Sequence, residues 1–274
     1  MDSAAREKIR TTPLTVGDIL EYSCRYFWRE MMTGCFVILL FYYPVNLLSA
    51  FVEFKVQRIS INLILSLMCM GVLLLIGLCI PLLILWITRL VQQKCAIGTT
   101  EWIDAGQNAF VLWPLALWTM VLQGLIVFGL SLLLIVPGII WGVYYTFSTF
   151  VVAQGSLWGK EALDYSKALV KGRWWITLGV TLLISLIVFG LLTIVWIIIM
   201  LLPTIFWYSN PLVAATNSTF FQLGTPLVTA PMAVWFTNLD YLHKRQLYIN
   251  SAAVVRPASD TTSTLRTESG REQS

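Results

Sequence analysis

The sequence predicts an all-α polytopic membrane bundle of six transmembrane helices, built as three repeats of an interfacial amphipathic helix plus a helical hairpin. Composition is the first reason. Of 274 residues, 58% are hydrophobic and only 12% charged, with a mean hydropathy of +0.78, whereas soluble domains average about 25% charged. Apolar runs of spanning length are the second reason, because crossing the hydrocarbon core takes about 20 residues. The third is the placement of lysine and arginine: 16 of the 18 fall in clusters on what alternation makes one side of the membrane.

Residues 1–14 read as a cytoplasmic tail, 15–250 as the membrane domain, and 251–274 as a disordered cytoplasmic tail. The first apolar run, about Met31–Val52, begins too deep for a cleaved signal peptide. The second is about Ile61–Ile87. A third stretch, Phe110 to Val152, is long enough for two crossings, about Val111–Val136 and Ile139–Gln154, with a turn expected at Pro137-Gly138. The fourth crossing is short, so a re-entrant loop is the alternative there. The fifth span is about Trp174–Leu202, and the sixth, richer in small residues, about Phe220–Leu239. Basic residues precede span one and follow spans two, four and six, which puts both termini in the cytoplasm of a cell (inner) membrane protein. Only Lys55 and Arg58 lie on the other side.

The repeat rests on three segments, "VGDILEYSCRYFWRE", "WIDAGQNAFVLWPLA" and "ALDYSKALVKGRWWI", aligned on Asp18, Asp104 and Asp164. Polar residues recur three later at Glu21, Gln107 and Lys167, and ten later come Trp28, Pro114 (beside Trp113) and Trp174. Steps of three and four put the polar set on one helical face, and tryptophan favours headgroup depth. Each copy is expected to lie on the cytoplasmic leaflet with its apolar face against lipid or neighbouring helices.

The region from Val136 to Trp175 resembles the membrane domain of bacterial glycerophosphoryl diester phosphodiesterases and related uncharacterised six-span inner-membrane proteins. The likeness is carried by "VPGIIWGVYYTFSTFVVAQG", by Ala162-Leu163, Ser166, Leu169 and Lys171-Gly172-Arg173, by the early "VGDIL", and loosely by Tyr241 and Arg245. It extends over about residues 15–248. Gln154-Gly155 stands where that family often carries an acid, and no phosphodiesterase domain is present in this sequence. The resemblance implies a six-helix fold and no established activity.

Catalytic chemistry is not expected. His243 is the single histidine, and neither clustered carboxylates, GxSxG nor a phosphate-binding loop occurs. The five cysteines lack metal-ligand spacing and read as free, apolar thiols. No metal or cofactor is therefore expected, and the charge distribution offers no nucleic-acid surface. Two sets of residues remain as candidates. Lys160, Lys167, Lys171 and Arg173 could meet anionic lipid headgroups, or serve topology alone. Gln123, Tyr144, Tyr145 and Asn238 could form an intramembrane polar site, or act as helix-packing glue. The function expected is a non-enzymatic multi-pass protein that organises lipid or partner proteins. The alternative is a transporter or channel subunit for an uncharged or lipidic solute. Partners expected are membrane lipids, anionic ones first, with a membrane-protein partner or a homo-oligomer as further candidates.

Overall fold

The protein is described by a computed structural model over residues 1–58, 63–99, 101–201 and 211–255. Every regular element among these residues is a helix. In chain order they are α1 (Ser3–Thr11), α2 (Val16–Arg58), α3 (Leu63–Ala96), α4 (Trp102–Leu133), α5 (Ile135–Tyr144), α6 (Ser148–Val152), α7 (Gly159–Val170), α8 (Trp174–Leu201), α9 (Pro211–Gln222) and α10 (Gly224–Val255). Among the described residues, four stretches are long and apolar enough to cross a membrane: Val16–Leu48 in α2, Trp102–Leu133, Ile135–Val152 and Trp174–Ile198. The outer faces of α4 and α8 expose Val121, Leu125, Leu132, Leu182, Leu186 and Ile194. Contiguous apolar surface on this scale is unsuited to water.

The N-terminal residues expected as a tail form α1, which packs against α3 and α10 and buries Ala5 and Ile9. Two exchanges of caps hold it. Arg10 donates to the carbonyls of Cys95 and Ala96 at 3.1 and 2.9 Å, and Arg6 donates to that of Ile97 at 3.3 Å. These are the free carbonyls at the end of α3, where a cation also offsets the helix dipole. In return α10 caps α1. Asn238 Nδ2 donates to the carbonyls of Ile9 and Thr12 at 2.6 and 2.8 Å, and Arg245 donates to that of Thr11 at 3.3 Å. The start of α2 is a capping box. The amide of Asp18 donates to Thr15 Oγ1 at 3.3 Å, and the Asp18 carboxylate accepts from the amide of Thr15 at 3.1 Å.

The three amphipathic segments are not alike. In the first two copies the segment continues unbroken into its span, as α2 and α4. The third alone is a separate helix, α7, divided from α8 at Lys171–Arg173. Of the three junctions, only this one contains a glycine, Gly172, with φ of +83°. The apolar face of α7 does not face lipid. Ala162, Leu163, Ser166, Leu169 and Val170 are buried, and the helix packs on α4, α5, α6 and α10.

The break between the third and fourth spans is also displaced. It falls at Leu134 rather than at Pro137-Gly138, and Pro137 occupies the first turn of α5, where its missing N–H costs nothing. The apolar stretch Ile135–Val152, where the fourth crossing is expected, is itself interrupted between Tyr144 and Ser148. Ser166 on α7 closes this gap: its hydroxyl donates to the Tyr144 carbonyl at 2.8 Å and accepts from the Phe147 amide at 3.2 Å. The run expected as the last span, about Phe220–Leu239, is divided, because α9 ends at Gln222 and α10 begins at Gly224.

α10 is the centre of the bundle. All of residues 231–240 are buried, so over this stretch the helix is surrounded by protein on every side, while residues 244–251 are exposed. Its small residues explain both its weak apolar signal and its position, since they let neighbouring backbones approach. Gly34 on α2 shows the closeness: a Cβ there would lie 2.8 Å from Pro226 Cβ and 3.2 Å from Ile87 Cδ1. The expected disorder of 251–274 lies outside the described residues from 256 onward.

Candidate functional site

A cavity of about 730 Å³ opens between α3, α4, α5–α6, α8 and α10. Its walls are mainly apolar, with Ile84, Met120, Val127, Phe128, Phe150 and Phe189 among them. The polar lining is neutral throughout: Gln123, Ser131, Thr146, Thr149, Thr181, Thr225 and Thr229. This volume falls in the range of about 300–1,000 Å³ found for small-molecule pockets.

Most of these polar groups are already satisfied within the protein. Ser148 donates to Gln123 Oε1 at 2.5 Å, which ties α6 to α4. Ser131, Thr146 and Thr229 return their hydroxyls to their own helices, at Val127, Gly142 and Thr225. Thr181 is different: its Oγ1 is buried and has no partner. The cavity therefore offers a largely apolar surface whose hydroxyls are mostly bonded within the protein. Gly124 and Gly142 line it as well, and a Cβ on either would meet nothing within 4 Å.

Of the four polar residues singled out in the sequence, only Gln123 reaches this cavity. Asn238 is fully buried at the other end of α10 and clasps residues 9–14, accepting from the Leu14 amide at 3.3 Å besides its two donated bonds. Tyr144 contributes its carbonyl to Ser166, and Tyr145 is buried with its ring 5.4 Å from Trp141. The cavity threonines were not singled out. The spacing of four at Thr225/Thr229 puts that pair on one face of α10, and that was a readable signal.

The basic set lies on or just after α7. Lys160 and Lys171 are exposed. Arg173 is half-buried, and Lys167 Nζ sits 4.3 Å from the centroid of the Trp141 ring. This is a cation–π contact. None of the four has an acidic partner among the described residues. On the far side of α7, Tyr165 donates to Asp240 Oδ1 at 2.5 Å, and Lys244 bonds the other Asp240 oxygen at 2.8 Å. Burial first, and then the Asp240 bond, push the Tyr165 hydroxyl above the usual phenol range. His243 lies edge-on to Tyr165 with ring centroids 5.8 Å apart.

Other charged and polar groups gather at the same end. Glu30, fully buried, pairs with Lys94 at 2.8 Å, and Lys94 also donates to the Tyr26 carbonyl. Arg89 and Gln92, one turn apart on α3, have buried donors, Nε and Nε2, without partners among the described residues. No cluster of three or more metal-ligating side chains occurs among the described residues. Comparison with protein-family models, with curated proteins and with solved structures returns no match, so a function has to come from this geometry.

Proposed function

We propose that the chain is a multi-pass membrane protein, without catalytic chemistry of its own, that takes a lipid or another uncharged apolar solute into the cavity between α4, α6, α8 and α10. The cavity lining carries this reading. It is large enough for a ligand, apolar over most of its surface, and free of charged side chains. A charged solute would lose its hydration there with nothing to replace it. Residence of lipid inside the bundle is a form of lipid organisation. Transport of the same class of solute is the second reading, favoured by the interruption of the fourth crossing beside the cavity at Thr146.

The reading includes six crossings of the cell membrane with both termini cytoplasmic. Each expected apolar run falls at least in part on a helix, and the clusters around Lys8, Lys94 and Lys244 are joined through α1, α3 and α10. It retains the threefold repeat in its acid positions for two copies: Asp18 and Asp104 both stand third in their helices, whereas Asp164 stands sixth in α7. Single-cysteine labelling at Ser156 from the cytoplasmic side and at Arg58 from the opposite side tests the topology. Labelling of both from one side would defeat it.

Occlusion tests the cavity. Gly124→Leu and Gly142→Leu each project a side chain into open space and improve helix propensity. The expected result is loss of co-purifying lipid, seen by native mass spectrometry, with thermal stability unchanged or raised. Lipid retained by both stable variants would show that it binds elsewhere.

A further inference from the structure

The cavity accounts for an apolar chain but leaves the unpaired donors at the end of α3 unexplained. Arg89 is half-buried, makes no ion pair or hydrogen bond among the described residues, and has its Nε enclosed. Gln92 stands three residues on, so the two side chains emerge within about 5–6 Å of one another on the helix, and its Nε2 is also enclosed and unpartnered. Enclosed donors without acceptors are uncommon in folded proteins, because each loses its water and gains nothing. A guanidinium adds a charge to that deficit.

The surroundings link these groups to the cavity. One Arg89 Nη lies so close to Gly155 that a Cβ on that residue would stand 2.7 Å from it, and Leu112 Cδ1 would be 3.9 Å away. Gly155 itself has φ of +81°, a conformation that glycine adopts without strain. The Arg89 pocket is thus built from α3, α4 and the chain leaving α6. The same three elements wall the cavity through Ile84, Met120 and Phe150. Five residues of α3 and eight of α4 separate the two levels, which is about 7–12 Å along a helix.

We propose that Arg89 and Gln92 bind the anionic head of a single-chain amphiphile, of the phosphate-monoester type, whose apolar tail occupies the cavity. This rests on the cavity being a lipid site and adds the class of lipid. Arg89 supplies a planar array of donors suited to phosphate oxygens, Gln92 supplies a neutral donor, and Gly155 leaves the guanidinium room. The cluster Lys160, Lys167, Lys171 and Arg173 lies on α7 and the link after it.

The test uses the full chain in neutral detergent with three probes: oleoyl lysophosphatidic acid, monooleoylglycerol and inorganic phosphate. Binding is read by native mass spectrometry and by thermal shift. The expected result is a preference of at least about tenfold for the lysophosphatidate over the neutral monoacylglycerol, as for a desolvated charge pair. Arg89→Gln should abolish the preference and keep monoacylglycerol binding, and Arg89→Lys should restore part of it. Gln92→Leu, which leaves the charge, should reduce the preference and serves if Arg89→Gln does not fold. Gly142→Leu should weaken both lipids. An unchanged preference in Arg89→Gln and Gln92→Leu would overturn the head-group site while leaving the cavity as a lipid site. Loss of the preference with lipid binding indifferent to Gly142→Leu would instead defeat the cavity. Inorganic phosphate bound as tightly as the lysophosphatidate would mean a free anion is the ligand, and the amphiphile proposal would fall.

Discussion

Replacing Asn238 by leucine separates a structural clasp from a solute site. The side chain is fully buried and makes three bonds to residues 9–14: two donated, at 2.6 and 2.8 Å, and one accepted, at 3.3 Å. Leucine has the same branched shape, is larger, and carries none of these groups, so some overpacking adds to the loss of the bonds. Ile9 and Leu14 are buried, so the carbonyl of one and the amide of the other would lose their partner away from water, whereas exposed Thr12 can be rehydrated. Two orphaned groups at about 1–3 kcal/mol each suggest a cost of roughly 3 kcal/mol. The loss should be local, because α1 can lift away without opening the spans. Hydrogen exchange over residues 3–14, read by mass spectrometry in detergent, measures it. Protection should fall roughly 100-fold, at 1.4 kcal/mol per factor of ten, with the rest of the bundle unaffected. Asn238→Asp should do the same, since a carboxylate cannot donate to the two carbonyls. If α1 protection is unchanged while lipid binding is lost, the clasp is wrong and Asn238 belongs to a solute site.

Leu169→Glu should lower the melting temperature much more than Lys167→Glu. The first buries a charge under α7 at several kcal/mol; the second removes a half-exposed cation–π contact of about 0.5–1 kcal/mol. Equal losses would mean the faces of α7 are misassigned. Gly34→Val should destabilise by about 1–3 kcal/mol through overpacking against Pro226 and Ile87, while Gly179→Ala, whose Cβ meets nothing within 4 Å, should be neutral or slightly stabilising; thermal denaturation of the pair checks the close approach of α2 and α10. Because the Tyr165 hydroxyl is held above its usual range, the stability it contributes is complete below about pH 10 and is lost as pH rises through the folded value. Tyr165→Phe should therefore show a flatter alkaline stability profile than the parent, and identical profiles would remove Tyr165 from the α7–α10 contact.

How much of this was legible depends on whether the signal was local. Apolar runs locate helices because span length is a local property, and α4 and α8 lie where their runs predict. The amphipathic pattern of residues 160–172 predicts α7 and its buried face, but periodicity says only that a face is covered. Here the cover is α4, α5, α6 and α10 rather than lipid. The equivalence of the three copies failed at the junctions, where glycine follows the third amphipathic segment and good helix formers follow the first two. α1 had a readable trace in Ala5 and Ile9, four apart, within a run of strong helix formers. Asn238 had none, because its partners lie more than 220 residues away in sequence. The enclosed donors of Arg89 and Gln92 are equally silent, since nothing in a sequence marks a side chain that ends up without a partner.

The distribution of polar contacts bears on how a lipid could enter. At the basic end the elements are cross-tied by Lys8–Asp18, Glu30–Lys94, Tyr165–Asp240–Lys244 and the exchanged caps of α1, α3 and α10. Such bonds fix the relative register of the helices there. Deeper in the bundle the described ties are neutral, as in Asn46 to Thr219 at 2.9 Å and Ser148 to Gln123. In hydrocarbon there is no hydrophobic drive between helices, so association rests on packing and on such bonds. α8 is the wall with the weakest grip. Trp174 at its start donates to the Ile140 carbonyl at 3.3 Å, yet further along the Thr177 and Thr181 hydroxyls are buried without partners, and most of the outer surface of α8 is exposed. Further along, the Trp196 and Phe221 ring centroids lie 6.1 Å apart, and the stretch around Thr177 and Thr181 is held by dispersion contacts, which can part at low cost. The cavity lies against its inner face at Thr181 and Phe189. Lateral entry between α8 and α4 would therefore leave the cross-tied end, with Arg89 and Gln92, undisturbed. An apolar tail could move in from the bilayer while the site for its charged head stayed formed.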